Sequence, residues 1–168
     1  MSAPCTIRWT TTGAMAGAWR SSHPPVTDLA GQIAALHAQS GSTAWSKNTW
    51  QSFLDRNRCV ILLCLSQDTS EVLAVCLYQY VVDEAELLQV FVHASSRGQG
   101  IGRQLLEASI DILKIRDILY IYLEVSEQNT PAIGLYSSFG FQEIGVRSGY
   151  YRHGDGSAED ALQMRFEL

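Results

Sequence analysis

Three glycines alternate with other residues in the stretch RGQGIGR, at Gly98, Gly100 and Gly102. A strand-like run, AELLQVFVH, precedes them, and a helix-like run follows. Backbone this bare lets a ligand come close, and the amides that open a helix point outward with a favourable dipole. That combination suits phosphate groups. The spacing excludes two familiar phosphate loops: no Lys-Ser or Lys-Thr pair follows as in GxxxxGK[ST], and the third glycine comes one residue too early for GxGxxG. Taken alone, the loop reads either as a phosphate cradle or as a tight strand-to-helix turn of structural purpose.

Other residues with chemistry to offer are scattered. The four cysteines, Cys5, Cys59, Cys64 and Cys76, form no CxxC pair and have no histidine at metal-ligand spacing. They are expected to be reduced, structural thiols. His23, His37, His93 and His153 are dispersed, and no metal site is expected from them. Glu124 is the one charged residue in the apolar run ILYIYLEV. A lone strand glutamate ordinarily pairs with a cation or faces solvent. Tyr136, in GLYSSFGF, would by itself be a core residue.

The elements that must position these residues follow from periodicity and punctuation. VTDLAGQIAALHAQ reads as a helix with Thr27 or Asp28 as N-cap, and TAWSKNTWQSFLDRN as a second starting near Ser46. CVILLCLS and VLAVCLYQYVV read as strands joined by QDTS, and AELLQVFVH as a third, joined by a hairpin at Asp83 and Glu84. Ile101, Leu105, Ala108, Ile112 and Ile115 give an amphipathic helix from about 101 to 116. ILYIYLEV is expected to be a central strand, apolar on both faces except for Glu124. In NTPAIGLYSSFGF, Thr130 is expected to cap a helix, Pro131 to take its first position, and Gly140 to end it with positive φ. FQEIGV and DALQMRFEL close the chain as strands. Near the start, CTIRWT and GAWRSS each have strand character. The order gives an α/β sandwich on a mixed sheet.

The chain has 168 residues, is 46% hydrophobic and 17% charged, and carries a net charge of −5. This describes one globular domain. The charge argues against a general nucleic-acid binder and is compatible with a cationic substrate. No secretion signal is recognised, and the apolar stretch Val60–Leu65 is too short to span a bilayer, so a cytoplasmic setting is the default.

RGQGIG matches the R/Q-x-x-G-x-G/A signature of the GCN-five-related N-acetyltransferases. The likeness extends through DEAELLQVFVHASSRGQGIGRQLLEASIDIL, LEVSEQNTPAIGLYSSFGF, GYYRHGDGSAEDALQM and the upstream AWSKNTW. Over residues 27–166 the chain resembles the RimI family of ribosomal-protein-alanine N-acetyltransferases. It departs from that pattern at Gly98, where a bulkier, often basic residue is usual, and in lacking a proline after GYY.

The resemblance implies a GNAT acyl-CoA N-acyltransferase fold: an α/β architecture with a mixed, mostly antiparallel sheet, splayed central strands and helices on both faces. Residues 1–168 would form a single N-acetyltransferase domain, with 1–20 as an N-terminal extension. It implies that Val90, Phe91 and Val92 offer strand backbone to the pantetheine arm of acetyl-CoA. Gly98, Gln99, Gly100, Ile101, Gly102 and Arg103 would wrap its pyrophosphate, and Asn129 would hydrogen-bond the cofactor where the two central strands splay apart. Glu124 would be the general base and Tyr136 the general acid. The acceptor would be a ribosomal protein N-terminus. No metal, direct nucleic-acid contact or membrane is implied, and the chain would be a monomer or weak dimer.

Elementary chemistry is compatible with those roles. Acetyl transfer needs a neutral amine, and an α-amine with a pKa of about 7.7–8.0 is partly neutral near pH 7, whereas a lysine at about 10.4 is not. A carboxylate that takes the departing proton is then sufficient help. Apolar neighbours around Glu124 are expected to raise its pKa and improve it as a base. A phenol can protonate the leaving thiolate. Asp83, Glu84, Glu86 and the GYYRHGDGSAED segment would give the acceptor side an acidic, aromatic rim, suited to a basic N-terminal peptide. Each of these carboxylates reads equally as part of a solvated loop. The alternatives are the same chemistry on another protein terminus or a small amine, and an inactive acetyl-CoA-binding sensor.

Overall fold

The structure, a computed structural model, describes residues 5–11, 27–40, 43–66, 69, 71–152, 154 and 156–168, with backbone alone for 5–11. Strand β1 (Cys5–Thr11) precedes helices α1 (Leu29–Ala38) and α2 (Lys47–Asp55). Strands β2 (Cys59–Ser66), β3 (Val72–Val81) and β4 (Glu84–Val92) form a meander. A 3₁₀ turn (Ala94–Ser96) leads to α3 (Ile101–Lys114), then β5 (Tyr120–Ser126), α4 (Thr130–Phe139), β6 (Gln142–Arg152) and β7 (Ala158–Glu167). Asp28 and Ser46 cap α1 and α2 by accepting from Gly31 N and Thr49 N. Gly140 ends α4 at φ 97°, as its sequence position predicts. GAWRSS lies outside the described residues.

Two local expectations shift by one residue. Asn129 rather than Thr130 caps α4, its Oδ1 accepting from Ala132 N at 3.3 Å, so Pro131 falls in the second helical position. The β3–β4 turn centres on Val82 and Asp83, because Val81 pairs with Glu84.

Among the described residues the sheet has seven strands in the order β1-β2-β3-β4-β5-β7-β6. Every neighbouring pair is antiparallel except β4 and β5. Alternation along β2 shows how the faces are shared. Val60, Leu62 and Cys64 enter one core with α3 and α4, while Ile61, Leu63 and Leu65 enter another with α1 and α2. The final hairpin continues to Arg152, well beyond FQEIGV, because β6 pairs with β7 on both sides of an irregularity between Arg147 and Tyr151.

Cys64 corrects the expectation of four reduced thiols: it is disulfide-bonded. Its strand lies against β1, with Ile7 opposite Cys64, an adjacency that no local pattern announces. Cys59 and Cys76 are buried, reduced thiols, as expected.

His37 also gains a structural setting. It is fully buried, stacked on Phe91 with ring centroids 4.9 Å apart, and edge-on to Trp45 and Trp50. Its Nδ1 accepts from Trp45 N at 3.3 Å. Burial lowers its pKa, so the folded state favours the neutral ring. As pH falls below the unfolded value of about 6.5, the unfolded chain takes up a proton that the folded chain resists, and stability drops. Thermal melts from pH 7.5 to 5.5 are expected to show a steeper fall in Tm for the wild type than for His37→Leu; equal slopes would remove His37 from this role.

Candidate active site

The sheet opens at one place. β4 and β5 pair in parallel from Glu84↔Tyr120 to Leu87↔Leu123 and no further, although β4 runs on to Val92 and β5 to Ser126. The cause lies on β4. Its register against β3 jumps from Tyr78↔Leu87 to Leu77↔Gln89, leaving Leu88 as an extra residue. Such a bulge bends a strand and increases its twist. It also inverts the side-chain alternation: Leu87 packs in the α3/α4 core, whereas Phe91 packs in the α1/α2 core. Val90, Phe91 and Val92 therefore lie past the bulge, paired with β3 but not with β5.

Glu124 is the first β5 residue beyond the last paired position. Ile121, Leu123 and Val125 enter the α3/α4 core, so alternation turns Glu124 to the opposite face. Tyr136, on α4, belongs to the α3/α4 core and is 5% exposed. The two side chains thus sit on opposite faces of one sheet. A reacting group that touches both must stand in the gap between β4 and β5.

The expected apolar surroundings of Glu124 are not found. Its carboxylate accepts from Arg147 Nη1 at 3.2 and 3.4 Å and from Gln163 Nε2 at 3.2 Å. The reason is the same alternation: the apolar residues of β5 face away, and polar side chains of β6 and β7 stand beside the carboxylate. Tyr150 joins this group; its hydrogen bond to Glu124 raises its phenol pKa. Tyr122 Oη donates to Glu84 Oε1 at 3.2 Å on the same face. Arg147 and Gln163 were not foreseen, since nothing in their local sequence marks them.

Tyr136 packs on Phe141 at 5.6 Å. Burial, with smaller contributions from Cys76 and Tyr151, pushes its phenol well above the ordinary range, so it remains a proton donor. Beneath it, Ser109 Oγ donates to Leu106 O at 2.7 Å. The Tyr78 hydroxyl therefore donates its own proton to Ser109 Oγ at 2.8 Å.

The glycine loop opens α3. Gly98 and Gly100 have φ of 73° and 78°, values that favour glycine, and a Cβ on either would meet nothing within 4 Å. Gly100 is the N-cap and supplies no side-chain cap. The amides of Ile101, Gly102 and Arg103 therefore have no partner within the helix. Arg97 Nε reaches Val92 O, and Gln99 Nε2 reaches Ser95 O, both at 3.1 Å, which tie the loop to its approach. The Arg103 guanidinium is engaged on α4, donating to Ser138 Oγ at 2.7 Å and lying over Phe139. Among the described residues no group of histidine, cysteine or acidic side chains could hold a metal ion. No helix of the described residues is long and apolar enough to cross a membrane.

Residues 30–141, which include the opened strands, the glycine loop and both candidate catalytic residues, match the family model for the acetyltransferase (GNAT) family. The chain belongs to that family. Among its GNAT relatives, the [ribosomal protein bS18]-alanine N-acetyltransferase of Escherichia coli K12 is 38% identical over 137 residues, covering 80% of this chain and 90% of the relative. The protein of the same name from Haemophilus ducreyi is 36% identical over 124 residues, covering 74% and 83%. The crystal structure of the ribosomal-protein-S18-alanine N-acetyltransferase from Escherichia coli superposes with a TM-score of 0.78 at 28% identity, covering 97% of this chain and 94% of that one. Arabidopsis thaliana NAA60 in complex with acetyl-CoA shares the GNAT fold at a TM-score of 0.76 and 15% identity, covering 97% and 99%.

Proposed function

We propose that this GNAT chain transfers the acetyl group of acetyl-CoA to the N-terminal alanine of a small-subunit ribosomal protein, the bS18 of its relatives' name, in the cytoplasm. The observation that carries the mechanism is the placement of Glu124 and Tyr136 on opposite faces of the sheet, joined only through the gap between β4 and β5. The fit to acetyl-CoA rests on three features: β4 backbone that has no β5 partner beyond Leu87, a helix N-terminus without a side-chain cap, and glycines whose missing side chains leave open space.

When bound, acetyl-CoA supplies the thioester carbonyl that the amine attacks and the sulfur that leaves. Val90, Phe91 and Val92 hold the pantetheine arm with backbone groups. The amides from Gly98 to Arg103 bind the pyrophosphate. Asn129 spends its side-chain oxygen on the α4 cap, so its hydrogen bond to the cofactor comes from the amide nitrogen. Glu124 accepts the proton that the amine loses as its nitrogen–carbon bond forms. Tyr136 donates its hydroxyl proton to the sulfur as the carbon–sulfur bond breaks.

The direct test is transfer of acetyl from acetyl-CoA to an alanine-initiated peptide by the purified protein, read by mass spectrometry. An unmodified peptide would contradict the reading. Gly100→Val tests the loop separately. A β-branched residue at φ 78° is strained by about 1–2 kcal/mol, and its bulk enters the space meant for phosphate. Acetyl-CoA affinity is expected to fall at least about tenfold in calorimetry, a loss equivalent to about 1.4 kcal/mol. Wild-type affinity would remove the phosphate role from the loop.

A further inference from the structure

We propose that Arg147 is a latch on the acceptor side of Glu124: a positioning residue that occupies the carboxylate until the acceptor's amine replaces it. This rests on the reading of Glu124 as the group that receives the amine. A single nitrogen, Arg147 Nη1, lies 3.2 and 3.4 Å from the two oxygens of Glu124. The Arg147 side chain is 57% exposed and that of Glu124 18%, so the guanidinium stands on the solvent side of the carboxylate. An amine arriving from solvent must come within hydrogen-bond reach of the same oxygens. While Arg147 stays, its Nη1 occupies the solvent-side approach to both oxygens and competes with the amine for them.

Arg147 can leave at little cost. Exposed ion pairs are weak, and here one cation replaces another, so the charge on Glu124 stays compensated. With Nη1 on Glu124 the guanidinium already lies over the Tyr150 ring, whose centroid is 4.3 Å from Cζ, and it can keep that contact as Nη1 turns away from the carboxylate. The backbone need not follow. Gly149 N donates to Asp160 Oδ1 at 2.8 Å and Ser148 Oγ to Asp160 Oδ2 at 3.3 Å, pinning the irregular stretch just after Arg147. Gln163 remains on Oε1 and keeps the carboxylate oriented through the exchange. A guanidinium does not lose its proton at working pH, so Arg147 competes with the amine but never substitutes for Glu124 as a base.

The consequence is unusual in sign: removing the side chain should tighten acceptor binding. The test measures calorimetric binding of an alanine-initiated tetrapeptide amide with uncharged side chains to protein saturated with CoA, where no transfer occurs. At about pH 6.5 most of the α-amine is protonated. Arg147→Gln and Arg147→Ala should each bind the peptide roughly threefold to fivefold more tightly than the wild type, the factor an exposed ion pair can impose. The N-acetylated peptide should bind all three proteins alike, and Glu124→Gln should abolish the gain. Equal or weaker binding by both Arg147 variants would overturn the latch, as would an equal gain for the blocked peptide. If free and blocked peptides bind identically to every variant, the assignment of Glu124 to the amine fails, and the latch with it.

Discussion

Glu124→Gln lowers kcat/KM for an alanine-initiated peptide by about 10²-fold or more, within the range that removing a positioned acid–base group produces. The substitution keeps size and can still accept from Gln163 or Arg147, so the local packing survives. It removes the ability to take up a proton. The deficit should be largest below about pH 7.7, where most α-amine is protonated and must shed a proton before or during attack. Above about pH 8 the deficit should shrink, because the amine arrives neutral and Glu124 has only the proton released on bond formation left to accept. Rate measurements from pH 6 to 9 check this. A uniform deficit across that range would assign Glu124 to binding, and an undiminished rate would remove it from the reaction.

Tyr136→Phe lowers kcat by about 10²-fold while leaving the KM for acetyl-CoA within about twofold. The ring that packs on Phe141 is retained, and the loop and strand backbone proposed to hold the cofactor lie on other elements. What disappears is the hydroxyl proton needed by the departing sulfur. Because burial holds the phenol well above its ordinary range, Tyr136 contributes no ionisation to the rate profile below pH 10. The wild-type alkaline limb should therefore be flat up to that point as far as this residue is concerned. A variant with full kcat would leave Tyr136 as a core residue only; a matched rise in KM would make it a cofactor contact.

Much of the frame was legible in the chain because local rules agreed with the fold. Ser46 sits where a cap is needed, Gly140 ends α4 as predicted, and the apolar stripe of α3 meets the core through Leu105 and Ile112. What stayed hidden depends on strands meeting at a distance. Leu88 carries no glycine or proline to announce a bulge, yet that bulge separates β4 from β5 and turns Phe91 to the other face. Arg147 and Gln163 stand 23 and 39 positions beyond Glu124 and reach it only because β7 inserts between β5 and β6. Glu124 was thus assigned to apolar surroundings that its neighbours in sequence suggested and its neighbours in space do not provide.

The family places this chain among acetyltransferases; the acceptor is the central claim. Mass spectrometry of ribosomal proteins from cells with and without this protein tests it most directly. The account predicts one small-subunit protein whose N-terminal alanine is acetylated only when the protein is present. The same acetylation in both sets of cells, or loss of acetyl from a different amine, would contradict it.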